Sequence, residues 1–104
     1  MIISGAENIY PVEVEQVLQT NPKILEAAVI GIPDEKWGES VRAIVVLKEG
    51  QHLTQEEVID YCKQNLASYK KPKSVIFLDK LPRNPAGKVL KTTLREKFSG
   101  NMDP

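Results

Sequence analysis

The sequence predicts an α+β domain in which about three helices pack on a small three-stranded mixed sheet. Three short runs are rich in β-branched apolar residues, which favour strands. Three other segments carry apolar residues at helical spacing. The chain of 104 residues has the size of one domain. A domain of this size buries roughly 65% of the surface of its unfolded chain.

The first helix is predicted to begin at Pro11. The N–H of a first helical residue has no partner within the helix, so proline, which lacks this group, is well suited to the position. Glu13 and Glu15 lie in the first turn, where acidic residues suit the helix dipole. One narrow apolar face consists of Val14, Val17 and Leu18. Asn21-Pro22 ends the helix. The lead-in over residues 1–10 is partly extended and allows a minor hairpin.

Ile24–Ile32 and Ser40–Leu47 are predicted as the first two strands because both are apolar and β-branched. Pro33-Asp34 is expected to break the first strand. A short turn ending at Gly38 joins the two, so they are expected to pair antiparallel. The third strand, Ser74–Leu78, follows a helical crossover and is therefore expected to lie parallel to the second.

The crossover helix carries a capping box, formed by Thr54 and Glu57. Cys62 falls on its apolar stripe, so we interpret this residue as a small core residue and not as a reactive thiol. His52 lies outside the cap and is predicted to be at the surface. A last helix is predicted over residues 90–98. The domain then spans residues 1–98, and residues 99–104 form a disordered tail.

Composition excludes several classes of protein. A single cysteine permits no internal disulfide and indicates a reducing compartment, so a cytoplasmic location is predicted. No apolar run approaches the ~20 residues of a transmembrane segment. One histidine and one cysteine give no support for a metal site. Residues 63–104 hold ten basic against three acidic residues, which suggests a phosphate-bearing partner. Nucleic acid is not predicted, because no array of stacking aromatic residues accompanies the charge.

A loop with two prolines precedes the last helix. Pro82 and Pro85 stiffen it, and Gly87 accepts a positive φ. Lys88 follows at once, as a cation held out on a rigid support. The spacing alone is compatible with a solvated turn or with a loop that carries one charge to a fixed point.

Four stretches in order resemble the adenylate-forming superfamily, which comprises acyl-CoA synthetases, adenylation domains of peptide synthetases and luciferases. Pro-x-Asn-x-x-Gly-Lys-x-x-Lys, over residues 82–91, is similar to its C-terminal signature. The others are Ile3–Glu15, Asp34–Glu39 and Leu66–Pro72. The wording Asn-Ile-Tyr-Pro and Pro-Arg-Asn-Pro-Ala-Gly-Lys is typical of the acyl-CoA ligase branch. The resemblance covers residues 1–98 and implies the C-terminal lid domain.

The resemblance implies a two-step reaction in the full enzyme. A carboxylate first attacks ATP to give an acyl-adenylate and pyrophosphate, and coenzyme A then displaces AMP. An N-terminal domain that binds ATP and the acid is expected but absent from this chain, with the hinge just before Met1. That domain, and not this one, is expected to use Mg²⁺. Fatty or related acids are the expected substrates.

Site residues follow from the same resemblance. Lys88 matches the catalytic lysine of the first step, with Gly87 beside it at the nucleotide. The expected coenzyme A site comprises Gly5, Ala6 and Glu7 around the pantetheine arm and Trp37, Tyr69 and Lys71 around the nucleotide. Lys70 is also expected to be available to a phosphate.

Two alternatives remain open from the sequence. One is a free-standing basic module that binds phosphate ligands or nucleic acid. The other, within the superfamily, is an adenylation domain that loads the phosphopantetheine of a carrier protein. An upstream ATP-binding domain would exclude the first, and a comparison of the two thiols as acceptors would decide the second.

Overall fold

A computed structural model describes residues 1–100 of the chain, apart from the side chain of Ser68. In chain order the elements are β1 (Ile2–Ser4), β2 (Glu7–Ile9), α1 (Pro11–Gln19), β3 (Ile24–Asp34), β4 (Gly38–Leu47), α2 (Gln55–Asn65), a 3₁₀ turn (Ser68–Lys70), β5 (Ser74–Phe77) and α3 (Lys91–Phe98). The predicted α+β class is confirmed. Residues 101–104 of the predicted tail lie outside the described range.

The central sheet has the predicted mixed arrangement. β3 and β4 pair antiparallel, and β5 pairs parallel to β4 on its other side. The lead-in forms the minor hairpin, as β1 and β2 pair antiparallel. Ser4 of β1 pairs with Gly38 of β4, so the hairpin extends the three predicted strands to a five-stranded sheet.

The prediction that Pro33-Asp34 breaks β3 was wrong, because the ladder continues through Pro33↔Glu39 and Asp34↔Gly38. β3 is an edge strand among the described strands. Val29 turns its N–H and C=O away from β4, toward side chains of other elements. Backbone direction repeats every second residue, so Pro33 has the same outward orientation. A proline is tolerated there because its missing N–H faces no partner strand.

Apolar residues cover both faces of the sheet. On one face, strand residues such as Val29 and Val45 pack with α1 and α2. On the other face, Ile30 and Ile44 pack with Leu94 of α3. Successive strand residues point to opposite faces, and both faces are buried, which explains why β3 and β4 read as continuous apolar runs.

Two helix starts follow the predicted chemistry. Pro11 is the first residue of α1. At α2, the Thr54 N–H donates to Glu57 Oε1 at 2.9 Å, and the Glu57 N–H donates to Thr54 Oγ1 at 3.1 Å. The Thr54 hydrogen bonds keep the pKa of the Glu57 carboxyl below its usual value. The capping box is therefore complete.

Arg42, a buried residue of β4, fixes the end of α3 against the sheet. Its Nη1 donates to the carbonyls of Phe98 at 2.6 Å and Gly100 at 2.8 Å. Its Nε donates to Ser74 Oγ at 2.8 Å. The last carbonyls of a helix have no intrahelical donor, so a buried guanidinium satisfies them. The end of α3 is thereby tied to the same strands that form the core.

Cys62 is fully buried in the core, as predicted, and burial raises the pKa of its thiol to about 11. It is the one cysteine of the chain. At pH 8 the thiolate fraction should therefore be about 10²-fold smaller than in the unfolded chain. We expect a disulfide reagent to label the native 104-residue chain at least that much more slowly than the chain in denaturant. Similar rates in the two states would contradict the burial of this thiol.

Candidate functional site

The predicted site residues lie in two regions. Gly87 and Lys88 lie on the segment of residues 81–90 between β5 and α3, which we call the lysine loop. The other six line a groove near the β1–β2 turn and the 3₁₀ turn, which we call the hairpin groove. The segment that contains Lys88 packs on the face of the sheet that also holds α3. The groove wall includes Val41, which belongs to the core on the other face, below α1 and α2.

Asn84 organises the backbone of the lysine loop. Its N–H donates to the Lys88 carbonyl at 2.9 Å, and its Oδ1 accepts from the Lys88 N–H at 3.0 Å. Its carbonyl accepts from the Gly87 N–H at 2.9 Å. Gly87 has φ 87°, a conformation that side chains with a Cβ rarely adopt. At the base of the loop, the Leu90 N–H donates to the Pro82 carbonyl at 2.9 Å.

The Lys88 side chain is exposed, and within residues 1–100 it forms no ion pair. Its backbone is nevertheless fixed by the hydrogen bonds of Asn84. A cation on an ordered loop, with its charge directed at solvent, can meet an anion that another molecule or domain presents. The geometry thus matches the placement predicted from the sequence.

The lysine loop continues into α3 through a network at the edge of β3. Lys91 forms an ion pair with Glu15 of α1 and donates to the Val29 carbonyl at 2.9 Å. Glu15 Oε2 also accepts from the Val29 N–H at 2.8 Å. Both outward backbone groups of Val29 are therefore satisfied by a charged pair. This closes the sheet edge at that point and anchors the first residue of α3.

The hairpin groove has a volume of about 390 Å³. Its lining residues are Ser4, Gly5, Ala6, Glu7, Trp37, Val41, Tyr69, Lys71 and Lys73. The structure thus brings together all six residues of the predicted coenzyme A site, although they are up to 66 positions apart in the chain, from Gly5 to Lys71.

Gly5 brings the hairpin backbone close to the Trp37 ring. Its φ is 63°, and its N–H donates to the Trp37 carbonyl at 2.7 Å. A Cβ at this position would lie 3.1 Å from Trp37 Cε3. Any larger residue would therefore strain the turn and displace the indole.

Trp37 is 41% exposed, and two cations lie near its ring. The ammonium groups of Lys36 and Lys73 are each 5.0 Å from the ring centroid, a distance at which cation–π attraction acts. Asp34 orders the turn below, because its Oδ1 accepts from the N–H groups of Lys36 at 2.9 Å and Trp37 at 3.1 Å. Lys73 Nζ lies 3.7 Å from Asp34 Oδ2. The result is an exposed aromatic face beside positive charge.

The expectation that Lys70 is available to a phosphate does not hold. Its ammonium is paired with Glu13 of α1 at 2.8 Å, and this hydrogen bond raises the pKa of Lys70. Lys73 lines the groove together with the predicted Lys71, and the sequence reasoning missed Lys73. The basic run 70–73 was visible in the sequence, but the spacing does not tell which of its members faces α1 and which faces the β3–β4 turn.

Two kinds of feature are not found in the described part of the chain. Over residues 1–100, no three His, Cys, Asp or Glu side chains gather as a metal site. No helix in that range has the length and apolar character to cross a membrane. The predicted site residues lie on the lysine loop and in the hairpin groove.

Comparisons with known proteins concern nearly the whole chain. Residues 13–88 match the family described as the AMP-binding enzyme C-terminal domain. A long-chain-fatty-acid–CoA ligase of Mycobacterium tuberculosis is 52% identical over 98% of this chain and 20% of its own length. A 2-succinylbenzoate–CoA ligase of Bacillus cereus is 48% identical over 92% of this chain and 20% of its own. The chain therefore spans about a fifth of the length of these curated relatives.

The same fold occurs in solved structures. The crystal structure of ATP-bound MatB from Rhodopseudomonas palustris superposes with a TM-score of 0.91 and 41% sequence identity. The match covers 95% of this chain and 20% of that one.

Acid should disturb the groove through Asp34. The N–H of Trp37, first among several contacts, lowers the pKa of Asp34 below its ordinary 3.8. A lowered pKa stabilises the folded turn above pH 3.8, and this contribution is lost as the pH falls through the folded-state pKa. We therefore expect the fluorescence of Trp37, the one tryptophan, to change with a midpoint below 3.8.

Asp34→Asn keeps the Oδ1 acceptor and removes the titration. In this variant the fluorescence should stay level over the same pH range. A transition of unchanged midpoint and amplitude in Asp34→Asn would assign the effect to another group.

Proposed function

This chain belongs to the AMP-binding enzyme C-terminal domain family, and we propose that it is the mobile C-terminal domain of an acid–CoA ligase. The observation that carries the proposal is Lys88, an exposed cation on a hydrogen-bonded loop within the signature that suggested the family. The hairpin groove supplies a second, separate surface for the thiol substrate. A larger N-terminal domain, which would make up most of the full-length enzyme, would hold ATP with Mg²⁺ and the acid.

In the proposed first step, a carboxylate oxygen forms a bond to the α-phosphorus of ATP and the bond to pyrophosphate breaks. Two anions must approach each other, and charge develops on the oxygens around phosphorus. The ammonium of Lys88 would contact the carboxylate and phosphate oxygens and offset this repulsion most in the transition state. A lysine suits the task because it is a compact point charge on a long stem.

In the proposed second step, the thiol sulfur of coenzyme A attacks the acyl carbonyl, and the adenylate oxygen leaves with AMP. The backbone at Gly5 would let the thin pantetheine arm pass between the hairpin and Trp37. Trp37 and Tyr69, both partly exposed, offer faces on which adenine stacks. Lys71 and Lys73 line the same groove and supply positive charge for phosphates.

The two surfaces are built on different faces of the sheet. Leu81 and Val89 of the lysine loop pack in the α3 core, whereas Val41 of the groove packs in the core below α1 and α2. The two sites are thus supported by different hydrophobic cores of the domain. We therefore propose that the domain rotates between the two steps, presenting Lys88 first and the groove second.

The acid is proposed only as a class. The two curated relatives are named for a long-chain fatty acid and for 2-succinylbenzoate, yet they are 52% and 48% identical to this chain. Sequence identity to this domain is therefore nearly the same for two ligases named for different acids. A fatty or related acyl substrate is proposed, selected by the N-terminal domain, in a cytoplasmic enzyme.

In the full-length enzyme, Lys88→Ala should slow acyl-adenylate formation by about 10²- to 10³-fold, the usual loss when one preorganised charge-stabilising donor is removed. The measurement is ATP–pyrophosphate exchange. Thioester formation from added acyl-adenylate should be spared, because Lys88 would not face the adenylate in that step. Lys97→Ala, which removes an exposed lysine from the last turn of α3, is the matched control. An equal loss in both half-reactions would contradict the role of Lys88.

The opposite selectivity is expected for the groove. Gly5→Val strains a backbone at φ 63° and drives a side chain into the Trp37 ring. It should slow thioester formation from added acyl-adenylate by at least about tenfold, the scale of effect expected from a misplaced substrate, and leave ATP–pyrophosphate exchange near its original rate. Gly50→Val is the control, because Gly50 also has a positive φ of 78° but has open space around it. If both variants lose the second step equally, the groove is not the thiol path.

A further inference from the structure

We propose that Arg83 is a positioning residue for Lys88, supported by Glu26 at the edge of the sheet. This inference rests on the proposed function of Lys88. Arg83 occupies the unspecified position after Pro82 in the superfamily signature, and the resemblance to the acyl-CoA ligase branch, whose wording includes this arginine, assigned it no role.

The guanidinium of Arg83 joins the lysine loop to strand β3. Its Nη1 donates to the Gly87 carbonyl at 2.6 Å. Its Nη2 forms an ion pair with Glu26 Oε1. Glu26 is a member of β3 and pairs with Val46 in the ladder. A planar guanidinium thus bridges a strand of the core and the residue before Lys88.

The Gly87 carbonyl belongs to the same peptide unit as the Lys88 N–H, and this unit is planar. Arg83 holds the oxygen of the unit, and Asn84 Oδ1 holds its N–H at 3.0 Å. The plane is therefore fixed from both sides. Because this plane restrains the backbone from which the Lys88 side chain starts, Arg83 limits the region that the ammonium can reach.

Gly87 is the reason why such a support is needed. Apart from Gly87 and its two chain neighbours, no residue has an atom within 4 Å of the point that a Cβ would occupy here, so packing does not restrain its φ of 87°. Glycine moves between backbone conformations more readily than other residues. A peptide unit next to an unpacked glycine stays in one orientation only if hydrogen bonds keep it there.

A lysine at position 83 would not replace Arg83. The two contacts leave from different nitrogens of one planar group, which an ammonium cannot reproduce with the same geometry. Misplacement of a reacting group by about 1 Å is enough to cost ~10²-fold in rate. Loss of the two Arg83 contacts, to the Gly87 carbonyl and to Glu26, should therefore lower turnover. It should not weaken the binding of substrates that another domain holds.

The test uses the full-length enzyme with Arg83→Gln. We expect kcat for adenylate formation to fall by about 10- to 100-fold, with KM for ATP and for the acid unchanged. Thioester formation from added acyl-adenylate should keep its rate. Arg83→Lys should resemble Arg83→Gln. Arg95→Gln, which removes an exposed arginine of α3, should leave both half-reactions unchanged.

A double-variant test separates positioning from general damage. In a Lys88→Ala background, Arg83→Gln should have less than about a twofold further effect, because residues that act as one unit are not additive. Glu26→Gln should reproduce part of the Arg83→Gln loss and add nothing to it. A full additional loss in the Lys88→Ala background would overturn the positioning role. If Lys88→Ala itself leaves adenylate formation intact, the proposed function fails instead.

Discussion

The open edge of β3 is the constraint on which the lysine loop depends. An edge strand presents unpaired backbone groups, which need partners or cover. Here Glu15 and Lys91 occupy the N–H and C=O of Val29, and Glu26 forms an ion pair with Arg83. The edge is thereby covered at Val29 and flanked by a charged pair at Glu26. Through Arg83 within the lysine loop and Lys91 directly after it, the same contacts attach the loop to β3. The contacts that cover the edge strand therefore also hold the loop in place.

The sheet also determines where ligands can bind. Because both of its faces are filled by helices and apolar side chains, the interior has no room for a substrate. The hairpin groove lies at the end of the sheet, where β1 meets β4 through the single pair Ser4↔Gly38. Few backbone contacts hold the hairpin there, and the side chain of Glu39 adds one by accepting from the Ile3 N–H at 3.0 Å. The proposed thiol site therefore lies where the helix and sheet layers end.

Most helices and strands could be predicted from the chemistry of neighbouring residues. Contacts between residues far apart in the chain could not. Pro11 and the Thr54–Glu57 box act within one helical turn, so the sequence alone was sufficient for them. Lys70 is different, because its partner Glu13 lies 57 positions away and comes into reach only through the packing of α1 beside the 3₁₀ turn. The effect of Pro33 was predicted wrongly because whether a strand lies at the edge or in the centre depends on the arrangement of the whole sheet. Groove residues were found through motifs that resemble a family, and Lys73 lies outside the residues matched to that site.

Under the proposed function, the exposed ammonium of Lys88 would require a second domain to cover it. In bulk water, a cation and an anion about 4 Å apart attract by only ~1 kcal/mol. Preorganised donors in closed active sites contribute ~2.7–4 kcal/mol to a transition state. The difference arises from exclusion of water, and an exposed side chain such as Lys88 cannot exclude water by itself. The chain spans about a fifth of its relatives' length, so a covering surface would come from the remainder. Under the proposed function the lysine loop would have to be rigid before it meets that surface, since a cation that arrives disordered would lose in conformational entropy much of what desolvation adds.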